Sequence, residues 1–272
     1  MKKTIYTLFS ISFLLLFLAS CSKKGCTDPY SLAYDSEAKK DDGTCTYPEN
    51  TKRGLVFKAT ATWCPPCGDW GHQYANDVYT DFPGSAEVIA IHSDNDFGVD
   101  IGYSLLTDLD PQGYPAFFVG TEDMGYTGYS TISNALTSEI NETNQVSLVA
   151  SHSISEGKMT IKVQSQLEGS FSDEGECYLA VYILEDGQVA TQQVGSPGAG
   201  VPDENFVHNH TLRAEASSLP FGQLIAFEGG KNLTEFEVTL APSNIWVHEN
   251  CYPLAVVWKK NGSDYEFINQ SK

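Results

Sequence analysis

Trp63-Cys64-Pro65-Pro66-Cys67 decides how the rest of the chain is read. Two cysteines with two residues between them are close enough to alternate between a dithiol and a disulfide. The apolar run Leu55-Val56-Phe57-Lys58-Ala59-Thr60-Ala61 precedes them and reads as a buried strand. Pro65 and Pro66 suit the first turn of a helix, where a missing N–H costs little. Residues 68–80 continue that helix, with Trp70, Tyr74 and Val78 on one stripe. The pair is therefore predicted at a strand-to-helix junction. A zinc site would need two further ligands at matching spacing, and none lies nearby in the sequence.

Working outward, residues 87–92 read as a second strand and 101–109 as a helix. Residues 113–120 read as a third strand introduced by Tyr114-Pro115, and 130–142 as a final helix. Alternating strands and helices make an α/β unit over residues 53–143. The WCPPC stretch together with Tyr114-Pro115 resembles the active site and cis-proline turn of the thioredoxin superfamily. The resemblance implies a thioredoxin-like domain with roles for particular residues. Cys64 is the nucleophile, held as a thiolate at a helix N-terminus. Cys67 is the buried thiol that resolves the mixed disulfide. Pro115 organises a bound substrate strand, and Trp63 shields one side of the pair.

Two positions depart from the superfamily. Lys58 stands where thioredoxin carries a buried aspartate that relays protons. A buried lysine favours a thiolate but is not the same base. Asp69 follows Gly68 where reducing members place a basic residue, and a carboxylate there opposes a thiolate. Lys58, Pro65, Pro66 and Asp69 are thus the expected redox-tuning residues.

Residues 1–20 have a basic start, Lys2-Lys3, and an apolar run too short to span a bilayer. They read as a secretory signal. Leu18-Ala19-Ser20-Cys21 resembles the bacterial lipoprotein cleavage box, which implies lipidation of Cys21 and attachment to the membrane without spanning it. The 272 residues carry 35 acidic and 16 basic side chains, a net charge of −19. Without Lys2 and Lys3 the balance is 35 against 14, or −21. Such a charge argues against nucleic acid as a partner. The expected partners are exported protein substrates or a redox partner, and no cofactor is expected.

Excluding Cys21, six cysteines remain, and an exported chain with an even remainder suggests disulfides. Several connectivities are open. The segment layout favours Cys26–Cys45, Cys64–Cys67 and Cys177–Cys251. Residues 21–52 then form the lipid anchor and a cysteine-stapled tether, rich in turn formers. Asp28, Asp35, Asp41 and Asp42 in it read as turn acids, because their spacing does not match an EF-hand loop.

From Val146 the pattern changes to short alternating strands around residues 146–154, 159–164, 177–184, 236–240 and 254–258. This predicts an all-β domain over 144–272, an antiparallel β-sandwich. Residues 191–206 read as one long loop. Alternation puts His208 and His210 on one face, a candidate metal pair with His248 or Glu249 as a third ligand. The alternative is two polar residues of a strand or loop, which leaves no metal site.

The His208-Asn209-His210 stretch with Leu212-Arg213, in a β half after a thioredoxin-like half, resembles one family of Bacteroidetes lipoproteins. That family is named after an outer membrane protein of about 28 kilodaltons. The resemblance implies a lipid-anchored place in the cell envelope, at the outer membrane. Two functions are expected of such a chain. One is thiol–disulfide exchange on exported proteins. The other is non-enzymatic binding at the membrane surface on a thioredoxin-like scaffold.

Overall fold

Seven consecutive buried residues, Gly54–Thr60, form β1, the strand that leads to the cysteine pair. The computed structural model describes residues 22–169, 176–195 and 198–272. The expected leader and Cys21 lie outside the described residues. β1 is flanked in parallel by β2 (Ala86–His92) and antiparallel by β3 (Ala116–Val119), with the two-residue β4 (Glu122–Asp123) at the sheet edge. Its two faces are both covered, which is why it is apolar without alternation. Leu55, Phe57 and Ala59 pack toward α3 (Asp100–Leu109), through Leu105, Leu106 and Leu109. Val56 faces the other way, against α2 (Trp70–Asp81) and α4 (Tyr129–Ile140), where Ala75, Val78, Ile132 and Leu136 are buried. By the same alternation Lys58 points to the α2 side.

The short helix α1 (Pro65–Gly68) precedes α2 and stops at Asp69, whose ψ of −106° breaks the continuous helix predicted over 68–80. Gly68 sits against the backbone of Gln193, leaving no room for a Cβ there.

The second half begins with β5 (Val146–Ser155) and β6 (Lys158–Leu167), followed by β7 (Cys177–Glu185). Four short strands then follow: β8 (Gln188–Val189), β9 (Gln192–Val194), β10 (Val201–Asp203) and β11 (Val207–His208). The chain closes with β12 (Thr211–Glu215), β13 (Gln223–Leu224), β14 (Lys231–Thr239), β15 (Cys251–Asn261) and β16 (Asp264–Ser271).

The alternating pattern predicts an antiparallel β-sandwich over 144–272. In the structure one of its two sheets is shared with the first half. The main sheet runs β16-β15-β7-β12-β2-β1-β3-β4, with β13 also on β7. The seam is β12, antiparallel to β7 and parallel to β2, where the amide of Ala90 donates to the carbonyl of His210. The second sheet, β14-β6-β5, packs its apolar face on β7, β15 and β16. Trp258 of β15 is fully buried and stacks on Phe57 of β1, so one core spans both halves. The fold is mixed α/β, with a mixed main sheet and small antiparallel sheets.

Cys177 and Cys251 do not pair with each other. Cys177 lies opposite Lys259 and Cys251 opposite Glu185, at the two ends of the β7–β15 ladder. Eight residues at roughly 3.4 Å each separate them, far beyond disulfide reach. The Cys251 thiol is buried and pushed up to about 12, an inert thiol.

The tether is stapled by Cys26–Cys45 and docked on the second sheet. Asp28 pairs with Lys231, Tyr30 bonds Glu228, and the amide of Leu32 donates to Gln164. Asp35 pairs with Lys23, while Asp41 and Asp42 close local turns. No helix among the described residues is long and apolar enough to cross a membrane.

Candidate functional site at the cysteine pair

β1 ends at Thr60, and the chain turns through Ala61 and Thr62 to Cys64, the residue that caps α1. The amide of Thr62 donates to Asp94, which pins this turn to the loop after β2. Cys64 and Cys67 are joined in a disulfide at the start of α1. The amide of Cys67 donates to the Cys64 sulfur at 3.3 Å. In the reduced protein that amide would favour a thiolate on Cys64 over one on Cys67. Tyr114 packs against both cysteines, and the Tyr114–Pro115 bond is cis. The Pro115 ring lies against Gly71 of α2, within 3 Å of where a Cβ would stand. Trp63 is 57% exposed and meets the edge of Tyr114, with ring centroids 5.8 Å apart.

What the sequence reading missed is the cover over this pair. Residues 191–206, read as a loop, contain the hairpin β9–β10. The segment between β7 and β12 straps the cysteine turn from the second half. The Gln192 side-chain amide donates to the carbonyls of Ala61 and Cys64, and the Gln193 amide donates to Thr62. The amide of Gly195 donates to Asp69, so the carboxylate expected to oppose a thiolate instead holds the strap. Gly200 approaches Pro65 so closely that a Cβ would meet the ring at 2.6 Å. Under this strap Cys64 is 3% exposed and Cys67 1%. The close glycine contacts and the run Gln192-Gln193 carry no periodic signal, so sequence alone could not assign them a partner.

Behind Cys67 lies a small pocket lined by Lys58, His72, His92 and His208. Lys58, in the middle of β1, is 7% exposed, and no described carboxylate forms an ion pair with it. Burial pushes its ammonium down to about 8. His92 bonds Asp94 at 3.0 Å. The carboxyl of Asp94 is held at about 2 by His92 and by the amides of Phe97 and Thr62, against the opposing effect of burial.

His208 and His210 both border the pocket behind Cys67, but not by the strand alternation predicted for them. His210 takes a φ of 58°, which breaks the two-residue alternation after β11. His208 lies against His92, Phe97 and Phe206, while His210 stacks on Tyr79 and meets Tyr252 and Asp186. His248 bonds the carbonyl of Ala241, and Glu249 is exposed. Among the described residues no group of three or more His, Cys, Asp or Glu is arranged to hold a metal ion.

Residues 111–272 match the family described as outer membrane protein Omp28. The fold is similar to HBP35 of Porphyromonas gingivalis, at a TM-score of 0.64 and 18% identity, covering 82% of this chain and 75% of that one. A domain of the outer membrane lipoprotein Omp28 from the same organism aligns at a TM-score of 0.33 and 15% identity, over 47% of this chain and 86% of that one. No curated protein matches in sequence. The family match spans more than half of the chain and includes Pro115, the strap and the whole second half. The chain belongs to the Omp28 family of outer membrane proteins.

Proposed function

We propose that this protein is a lipid-anchored thiol–disulfide oxidoreductase of the cell envelope, acting on exported proteins. The observation that carries this reading is the Cys64–Cys67 disulfide at the start of a helix, flanked by Trp63 and Tyr114. In this reading residues 53–143 are a thioredoxin-like unit and 144–272 a β-sandwich unit joined to it by the shared sheet. Residues 21–52 tether both to the acyl chains on Cys21. Cys64 attacks a substrate disulfide, Cys67 resolves the mixed disulfide, and Pro115 organises the substrate strand. Pro65, Pro66, Lys58 and Asp69 tune the pair. The chemistry needs no cofactor. The high negative charge fits work on exported proteins and not on nucleic acid.

The test is a Cys67→Ser variant expressed in its host. It should accumulate mixed disulfides through Cys64 with envelope proteins, separable on non-reducing gels and lost in Cys64→Ser. If none accumulates, the reading fails.

The burial of Cys64 favours a second reading, a non-enzymatic binding lipoprotein in which the disulfide is scaffold. Reduction of a model disulfide by the pure protein, at a rate that depends on Cys64, would rule it out.

A further inference from the structure

Cys67, Lys58, His72, His92, Gln192 and His208 line a small pocket of about 30 Å³ beneath the strap, whose lining also includes the exposed Asn76. That is enough volume for a water molecule. Both halves of the chain build it. β1, α2 and β2 contribute one wall, and the strap contributes Gln192 and His208.

Two features single this cavity out. His208 is 5% exposed, and its Nε2 is buried without a hydrogen-bond partner. The backbone of Ala190 engages the ring, which leaves Nε2 as a bare acceptor. A buried acceptor without a partner is costly, so its retention calls for an explanation. The second feature is Lys58, a buried amine with no counter-ion among the described residues. The groups that act on it or face the same space are Cys67 from α1, His72 from α2, His92 from β2, and His208 and His210 from the strap and the turn after it. The nearby acid, Asp94, is already engaged by His92 and three backbone amides.

We propose that Lys58 is the proton acceptor for the Cys67 thiol, with His208 holding the water that bridges them. This rests on the exchange chemistry proposed above. In the reductive direction the Cys64 thiolate attacks a substrate disulfide, forms a mixed disulfide and releases one substrate thiolate. The Cys67 thiol then passes its proton through the water to the neutral amine of Lys58. The Cys67 sulfur attacks the Cys64 sulfur. The Cys64–Cys67 bond forms, the bond from Cys64 to the substrate breaks, and the second substrate thiolate leaves. The dithiol loses two electrons and the substrate disulfide gains them. Lys58 returns its proton to the departing thiolate or to solvent. An amine held down to about 8 is neutral in a minority of molecules at pH 7 and in most of them by pH 9, and that neutral fraction accepts the proton.

The test separates the two steps. Reduced protein is mixed with dithiobis-nitrobenzoate, and release of the coloured thiolate is followed by stopped flow between about pH 6 and pH 9. The first phase reports attack by Cys64 and the second reports resolution by Cys67. In Lys58→Met the second phase should slow relative to the first by on the order of 100-fold at neutral pH. The deficit should shrink as rising pH ionises Cys67 directly. Lys58→Arg keeps the positive charge but cannot accept a proton, so it should slow the same phase. His208→Phe should slow that phase by a smaller factor, and it carries the test if the Lys58 variants do not fold. A second phase unchanged in Lys58→Met and His208→Phe, or one fully retained in Lys58→Arg, overturns the assignment. Absence of any Cys64-dependent first phase in the wild type instead overturns the exchange reading beneath it.

Discussion

Two central strands of the shared sheet, β1 and β7, bury charge in opposite ways. β7 ends in Glu185, which is almost fully buried yet satisfied on both oxygens. One accepts from Arg213 at 2.8 Å and the other from the amide of Val247 at 2.6 Å. Arg213 in turn lies over the rings of Phe97 and Trp246. β1 buries Lys58 with no such partner and a cavity beside it. Burial of an uncompensated charge is costly, whereas a paired charge with saturated hydrogen bonds is tolerated. β7 uses its charge to hold structure, while β1 carries one that destabilises the fold beside the reactive pair. Uncompensated groups of this kind concentrate at functional sites.

If that contrast is right, removing the two cations has opposite signs. Arg213→Met leaves Glu185 buried without its partner and should cost about 3–5 kcal/mol of stability. Urea unfolding at neutral pH checks this. A loss under about 1 kcal/mol would make Glu185 an ordinary surface-like pair.

Lys58→Met should instead stabilise the protein. Below about pH 8 the lysine is charged in both folded and unfolded states, and the folded state bears the full cost of burial. The gain at neutral pH is up to about 3 kcal/mol. It should disappear as pH rises from about 8 toward the ordinary lysine value of 10.5, because the wild type sheds the penalty over that range. Thermal melts of the two proteins at neutral pH and near pH 10 read this difference. A destabilised Lys58→Met would show that the lysine is structural.

Acid should loosen the strap side of the site. Burial lowers His208 and His210 to about 4, and lowers His92 as well. Their folded values lie below 6.5, so the stability they leave intact at neutral pH is lost as pH falls from about 6.5 toward 4. Asp94 adds a loss in the same direction below about 3.8, completed near 2. The loss at His208 is on the order of 2–3 kcal/mol. It should be absent from His208→Phe in urea titrations at pH 7 and near pH 4.5. An identical acid slope in both proteins would mean that the histidine is not buried neutral.

The smallest effect belongs to the tether. Lys231→Ala breaks a partly exposed pair with Asp28 and should cost only about 0.2–1 kcal/mol. A larger loss would make the docked tether part of the core.

Features written in local sequence were legible. The buried run of β1, the proline-led turn at Pro65 and Pro66, and the Tyr114-Pro115 step all sit at the expected positions. The strands of the second half were also legible by alternation, within a few residues at their ends. Their partners were not. Parallel pairing of β12 with β2 at Thr211 and Ala90 joins segments more than a hundred residues apart, and no periodicity encodes such a pairing. The Cys177–Cys251 expectation failed for the same reason, since segment layout says nothing about which end of a strand a cysteine occupies. The strap was hidden because its grip comes from Gln192, from backbone amides and from glycines chosen for lack of a side chain. Lys58 was visible as a departure, but its cavity required His208, which only the fold brings near.

The most direct test of exchange at a strapped, buried pair is the reduction potential of Cys64–Cys67, measured against a glutathione or dithiothreitol series. Exchange chemistry predicts a value between about −270 and −120 mV, the range spanned by redox-active pairs. A value below about −300 mV, that of a structural disulfide, would contradict it.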